Sequence, residues 1–316
     1  MSINLHISPR PPGLLLRLGG WDVEGWGEAA EASPDASRDL LADLPVEAED
    51  FLEMLDSRDP PAMLRCAIAT AWLSARAAAT ELSLSGLLAG GQRPAQEVPL
   101  CGVIAALPPE EAAARAASLV GQGHTALLVR CGPDRAADQA RIAAVRGAAP
   151  GVKLRLDAGG QWDPASALEH LRTLWRHDIE HVVQPIPPSR PIAEVAAFRR
   201  VSPVPVALPA LLQDRGGLGH VIAMRAADAV LLDPVALGGP DRATMAFGMA
   251  REAGLPVFVS QAQHGPVGTA MAVHLAATLP GPPPCPIEFG PEALAALSPA
   301  GGRVRVPTGP GLGLRP

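Results

Sequence analysis

Arg130, Asp157, Gln184, Asp233 and the run Ser260-Gln261-Ala262-Gln263-His264 share one property: each closes a short apolar segment. An arginine in such a place stays charged at any ordinary pH and offers a planar fork to a carboxylate. Aspartates and a histidine beside it can give and take protons, the histidine near neutrality. Asp233, His264 and Asp157 are therefore the candidates for acid–base work. Arg130, Gln184, Ser260 and Gln263 are the candidates for holding a ligand. Ser260 lacks the Gly-x-Ser-x-Gly setting of a nucleophile elbow, so contact suits it better than attack.

Two readings of Arg130 stand side by side. It can neutralise Asp157, Asp233 or both as a buried ion pair, since interior charges must be balanced. It can also clamp a carboxylate on a ligand while Asp233 or His264 moves a proton. For His264 the alternative is a loop histidine bonded to backbone. Cys66, Cys101, Cys131 and Cys285 show no metal or redox spacing and read as small buried hydrophobes of a reducing cytoplasm. Of these only Cys131, at a strand end, is placed as a nucleophile would be. His170, His177 and His181 gather near the opposite strand ends, where solvation is expected, and Glu28 reads as a structural carboxylate.

The elements that must position these groups follow from the pattern. From about residue 98, the runs VPLCGVI, TALLVRC, KLRLDAG, HVVQPI, VPVALP, AVLLDP, PVFVSQ and PIEFG alternate with amphipathic Ala/Leu/Arg stretches. Short apolar runs between helical segments are the mark of buried parallel strands. Eight of them predict an α/β fold of the closed-barrel type, with the strand C-termini forming the mouth. No GxGxxG follows the first strand, which argues against dinucleotide binding. Residues 1–96 read differently, with LLLRLGGWDVEGWGEAAE as two strands and a turn, a polar loop over 33–39 and a long helix over 62–80. The expected division is an α+β capping domain over 1–96, completed by an extended arm over 301–316, and a barrel over 97–300.

Composition narrows the partners. The formal charge is −6, no basic block suggests nucleic acid, and charged residues, Gly or Pro break every apolar run before it could span a bilayer. The N-terminal residues lack the charged start and apolar middle of a signal peptide, so a cytoplasmic location is expected. A small carboxylate-bearing molecule is the expected partner, and the apolar helix MAVHLAATL offers a surface for self-association into a homo-oligomer.

Several landmarks occur in one order along the chain. They are Gly25-Trp26-Gly27-Glu28, the helix AIATAWLSARA, Leu156-Asp157-Ala158-Gly159-Gly160 with Trp162, and Gln184-Pro185. Val204-Pro205-Val206-Ala207-Leu208, Leu237-Gly238-Gly239, Val267-Gly268 and Gly309-Pro310-Gly311-Leu312-Gly313 follow. In this register the chain resembles the enolase superfamily, and most closely its o-succinylbenzoate synthase branch. The resemblance implies a (β/α)7β TIM-type barrel under an N-terminal α+β cap. It also implies proton abstraction beside a carboxylate, with an enediolate stabilised on Mg²⁺, lysines on the second and sixth strands, and three metal-binding carboxylates.

The chain departs from that pattern at most of these positions. The paired lysines fall on Leu128 and Arg130, the sixth-strand lysine on Asp233, and the metal carboxylates on Asp157, Val183 and Pro209-Ala210. Lys153, the only lysine, opens its strand at the wrong end of the barrel. One carboxylate is too few for an ion that favours octahedral oxygen coordination, so neither Mg²⁺ nor another cofactor is expected. The leading expectation is a metal-independent lyase, isomerase or cyclase. The alternatives are a non-catalytic binding descendant, or a Mg-dependent dehydratase whose ligands have moved to Asp157, Asp214 or Glu288, with His264.

Overall fold

A computed structural model describes residues 4–10, 13–20, 23–29, 39–40, 49–210 and 217–314. The strands in chain order are β1 (Asn4–Arg10), β2 (Gly13–Gly20), β3 (Val23–Ala29), β4 (Glu97–Pro99), β5 (Cys101–Ile104), β6 (Ala126–Arg130) and β7 (Lys153–Asp157). They continue with β8 (Ile179–Val183), β9 (Val206–Pro209), β10 (Ala229–Leu232), β11 (Val257–Val259), β12 (Gln261–His264), β13 (Ile287–Phe289) and β14 (Arg303–Arg305). Strands β5 to β11 form one parallel sheet in sequential order, and β12 pairs in parallel with β13.

The sheet closes through residues 285–289. Cys101 N donates to Cys285 O at 2.9 Å, and Gln261 N donates to Pro286 O at 3.1 Å. Alternation along the strands then sorts the side chains. Val103, Leu128, Val183, Ala207, Leu231 and Phe258 fill the barrel, while Leu127, Val129, Leu154, Leu156 and Val182 face the surrounding helices. The run VPLCGVI does not act as one strand. Its first residues form β4, which leaves the barrel and pairs antiparallel with β14.

Strands β1, β2 and β3 make an antiparallel sheet against the helix Ala62–Ala79. Only glycine permits this approach, because a Cβ on Gly25 would lie 1.9 Å from Ala71 O and one on Gly27 1.8 Å from Ala67 O. The β2–β3 pair and the helix match the reading of the sequence, and β1 adds a strand that reading lacked. Most of the expected loop over 33–39 lies outside the described residues. Arg65, almost wholly buried, ties this layer to the barrel: it donates to Asp56 at 2.5 Å, to Gly238 O at 2.6 Å and to Asp241 at 2.8 Å. Near the C-terminal end, Gly311 N donates to Leu82 O at 2.8 Å and Gly311 O accepts from Leu84 N at 2.6 Å.

The helix Pro266–Ala277 is buried along its whole length, because it lies beneath β3 and between neighbouring helices. The segment MAVHLAATL is therefore core and offers no surface for self-association. No described helix is long and apolar enough to cross a membrane.

Candidate active site

The mouth of the barrel holds a cavity of about 370 Å³. Arg130, Asp157, Gln184, Asp233 and Ser260 all line it, together with an apolar wall of Val103, Leu128, Val183, Pro209 and Leu231. Five of the seven residues singled out from the sequence thus meet in one place. His264 is not among the lining residues, though it is near enough to act electrostatically on Asp233. The side chain of Gln263 lies outside the described residues, as does Asp214.

Arg130 ends β6, and its main partner is one the sequence did not suggest. Its Nη2 donates to Glu288 Oε1 at 2.5 Å, while its Nε is 4.0 Å from Asp157 Oδ2, and no described contact joins it to Asp233. Barrel closure explains this, because β13 brings Glu288 to the same mouth. The guanidinium remains 43% exposed, so part of its fork still faces the cavity.

The two aspartates are partly buried carboxyls at the mouth. Burial raises the Asp157 carboxyl above its ordinary range, opposed by the Gly159 N–H at 3.0 Å on Oδ1 and by Arg130. Burial likewise raises Asp233, opposed by the N–H groups of Ala236 and Val235 on Oδ1 and by His264. In each case Oδ1 is engaged by backbone and Oδ2 accepts no hydrogen bond among the described residues. Raised carboxyls in a cleft are the usual equipment of proton transfer.

Gln184 adopts φ +44°, a left-handed conformation rare for a residue with a side chain. It is held there by its own N–H to Ala207 O at 3.0 Å, its carbonyl to Gly160 N at 2.6 Å, and its Nε2 to Ile186 O at 2.8 Å. Strain of this kind gathers at binding sites. Gln261, named in the sequence only as part of the run 260–264, was given no role of its own. It is 1% exposed, and its amide is closed off from the cavity near Gly268, with no hydrogen-bond partner among the described residues.

Glu28 reaches from β3 to the start of the helix Pro266–Ala277, where it accepts from Gly265 N at 2.6 Å and Gly268 N at 3.1 Å. Its role is structural, as its motif suggested: a carboxylate on the unsatisfied N–H groups of a helix start. Through Gly265 it braces the segment carrying His264.

The four cysteines are buried, as the sequence suggests, while two histidine expectations are corrected. Cys131 is buried, and desolvation pushes its thiol well above the ordinary value, so no thiolate nucleophile is available there. His170 and His181 are not solvated. His170 packs edge-on against Trp162 with Nε2 3.6 Å from Asp138, and its place beside Ala167, Leu171 and Leu174 on one helix face was the available signal. His181 sits inside the barrel against Phe258, where burial and then Arg155 push it down to about 4. Arg155 was overlooked. It shares the barrel-facing side of β7 with Asp157, bonds Glu180 at 2.5 Å and Pro284 O at 2.6 Å, and stacks over Phe258.

The donor set does not fit the metal ion that the fold implies. Beside Asp157, the other carboxylate positions are Val183 and Pro209, which are apolar walls, and the neighbouring positive charge is a guanidinium. Among the described residues, no three His, Cys, Asp or Glu side chains are grouped to hold a metal.

Comparison with known proteins agrees with this architecture. Residues 111–316 match the family described as enolase C-terminal domain-like. The o-succinylbenzoate synthase of Thermobifida fusca is 40% identical over 187 residues, covering 58% of this chain and 56% of that protein. Muconate cycloisomerase 1 of Rhodococcus opacus is 30% identical over 242 residues, covering 72% of this chain and 63% of the relative. The chain belongs to the enolase superfamily, and its similarity runs to the o-succinylbenzoate synthase branch. It spans a little over half the length of these relatives. The crystal structure of a mandelate racemase/muconate lactonizing family protein from Azoarcus sp. EbN1 shares the fold, with a TM-score of 0.84, 23% identity, and coverage of 96% of this chain and 90% of that one.

Proposed function

We propose that this chain is a lyase or isomerase that binds a small carboxylate-bearing molecule at the barrel mouth and moves its protons without a metal ion. The observation that carries the reading is the convergence of Asp157 and Asp233, both raised by burial, with the Arg130 guanidinium on one cavity. Arg130 anchors the ligand carboxylate and offsets the charge that grows on it when a neighbouring C–H is deprotonated. Asp233 takes that proton through Oδ2, which accepts no hydrogen bond among the described residues, and His264, whose charge acts on Asp233, is the group to pass a proton on to solvent. Asp157 returns a proton from the other side. The relatives named for o-succinylbenzoate and muconate chemistry support a carboxylate ligand.

The test is solvent exchange. The protein, treated with EDTA, is incubated in D2O with a panel of small carboxylates and amino-carboxylates, and deuterium uptake beside the carboxylate is followed by NMR. The reading expects uptake that disappears in Asp233→Asn. Uptake that appears only when Mg²⁺ is added would overturn it. The non-catalytic reading draws support from the Arg130–Glu288 pair and the apolar wall, and it expects binding with no exchange.

A further inference from the structure

We infer that the outer wall of the barrel carries a second ligand site, for a phosphomonoester, at the seam where the first and last barrel strands part. A cavity of about 360 Å³ lies there, lined by the helix Pro109–Gly121 on one side and by Leu294 of the short helix Pro291–Leu297 on the other. Its floor is the seam of β5 and β13. Cys101 N donates to Cys285 O, but Ile287 N then turns back onto the same carbonyl at 2.9 Å instead of continuing a ladder. Val103 N–H points the same way as Cys101 N–H, by the alternation of a paired strand, and has no acceptor among the described residues. A backbone donor in the wall of a cavity requires a partner from water or from a ligand. Gly102 faces outward beside it and keeps the floor deep, since a Cβ there would lie 2.9 Å from Leu119 Cδ1.

The charges around this cavity are the second observation. Arg115 and Arg303 both line it, and neither has a carboxylate partner among the described residues. His124 lines it with them. Its Nδ1 donates to Leu100 O at 3.1 Å, and burial and then the Arg115 charge hold it below the ordinary histidine value. The one carboxylate residue of the lining, Glu288, is engaged by Arg130 at 2.5 Å on the barrel side. Two guanidiniums therefore share a cavity without a counter-charge. Each offers a planar fork that matches phosphate oxygens, and a dianionic phosphoryl group balances both where a single carboxylate balances one. The cavity has room beyond the phosphoryl group, and Leu119 with the half-exposed Leu294 supplies apolar surface for the body of the ester.

Calorimetry at pH 8 in low salt tests the inference, because a phosphomonoester is a dianion there. Phenyl phosphate is expected to bind once per chain, tenfold or more tightly than benzoate. Arg115→Gln and Arg303→Gln should each weaken it tenfold or more, as the loss of a charged hydrogen bond does. Leu294→Asp, which sets a carboxylate at the exposed rim, should weaken it as well. All three positions are exposed, so the melting temperature should be retained. Arg130→Gln, at the barrel mouth, should leave phenyl phosphate binding unchanged. Phenyl phosphate that fails to bind at millimolar concentration, or that loses affinity only in Arg130→Gln, would overturn the inference. Benzoate binding as tightly, with the same dependence on Arg115 and Arg303, would overturn it too. The reading of the mouth is tested separately, by deuterium exchange and Asp233→Asn.

Discussion

Asp157 Oδ2 stands 4.0 Å from Nε of Arg130, so a guanidinium neighbours the one carboxylate that survives from the family's metal-binding set. A fixed monocation is a weaker field than a divalent ion, but it needs no other ligands and leaves the adjoining positions free to be Val183 and Pro209. Glu288 tempers that field. Glu288→Gln should therefore free the guanidinium and tighten hexanoate binding about fivefold, ~1 kcal/mol for a partly exposed pair. Calorimetry with both variants checks this, since Arg130→Gln should abolish the same binding.

Asp233 and Asp157 have folded-state carboxyls above the ordinary aspartate value of 3.8. A group raised by folding contributes its stability at low pH and loses it as pH rises through the folded value. Urea midpoints should show Asp233→Asn gaining on the wild type as pH rises above 4, with little difference below it. A variant equally or less stable at pH 8 would show that the charged form is paired within the fold.

His181 and His274 act in the opposite sense. Burial holds each down at about 4, against an ordinary 6.5. His274 accepts from Ser85 N through Nδ1 and donates to Leu312 O through Nε2, so a second proton has no place. Their stabilisation is full above 6.5 and falls as pH drops toward 4, each by up to roughly 3 kcal/mol. Chemical denaturation between pH 7 and 4 should show this loss, reduced in His274→Gln.

Glu28 spans the seam between the capping layer and the barrel. Glu28→Gln should cost about 1 to 2 kcal/mol, as the loss of a charged helix cap does. Gly265→Ala should cost more, because its Cβ would lie 2.3 Å from Glu28 Oε1. Thermal melts of both variants measure the order.

The barrel and the mouth were legible because strand ends are marked by local composition, and Asp157, Gln184 and Asp233 each close such a run. Glu288 was not legible as the partner of Arg130. Their pairing depends on the closure that sets β13 at the mouth, a relation between positions 158 residues apart. Arg155 and His181 were legible in principle, since counting back by two from Asp157 and Val183 puts both inside the barrel. Charge led the reading away from them, yet Glu180 and Phe258 make burial tolerable for Arg155. Gln261 carries no local signal that separates it from Gln263.

The most direct test of the central claim is a titration of the EDTA-stripped protein with Mn²⁺, followed by electron paramagnetic resonance and calorimetry. A mouth in which Arg130 occupies the cationic role predicts no saturable one-site binding below millimolar Mn²⁺, in the wild type or in Asp157→Asn. Tight binding of one ion, lost in Asp157→Asn, would contradict the account and restore a metal-dependent enzyme with relocated ligands.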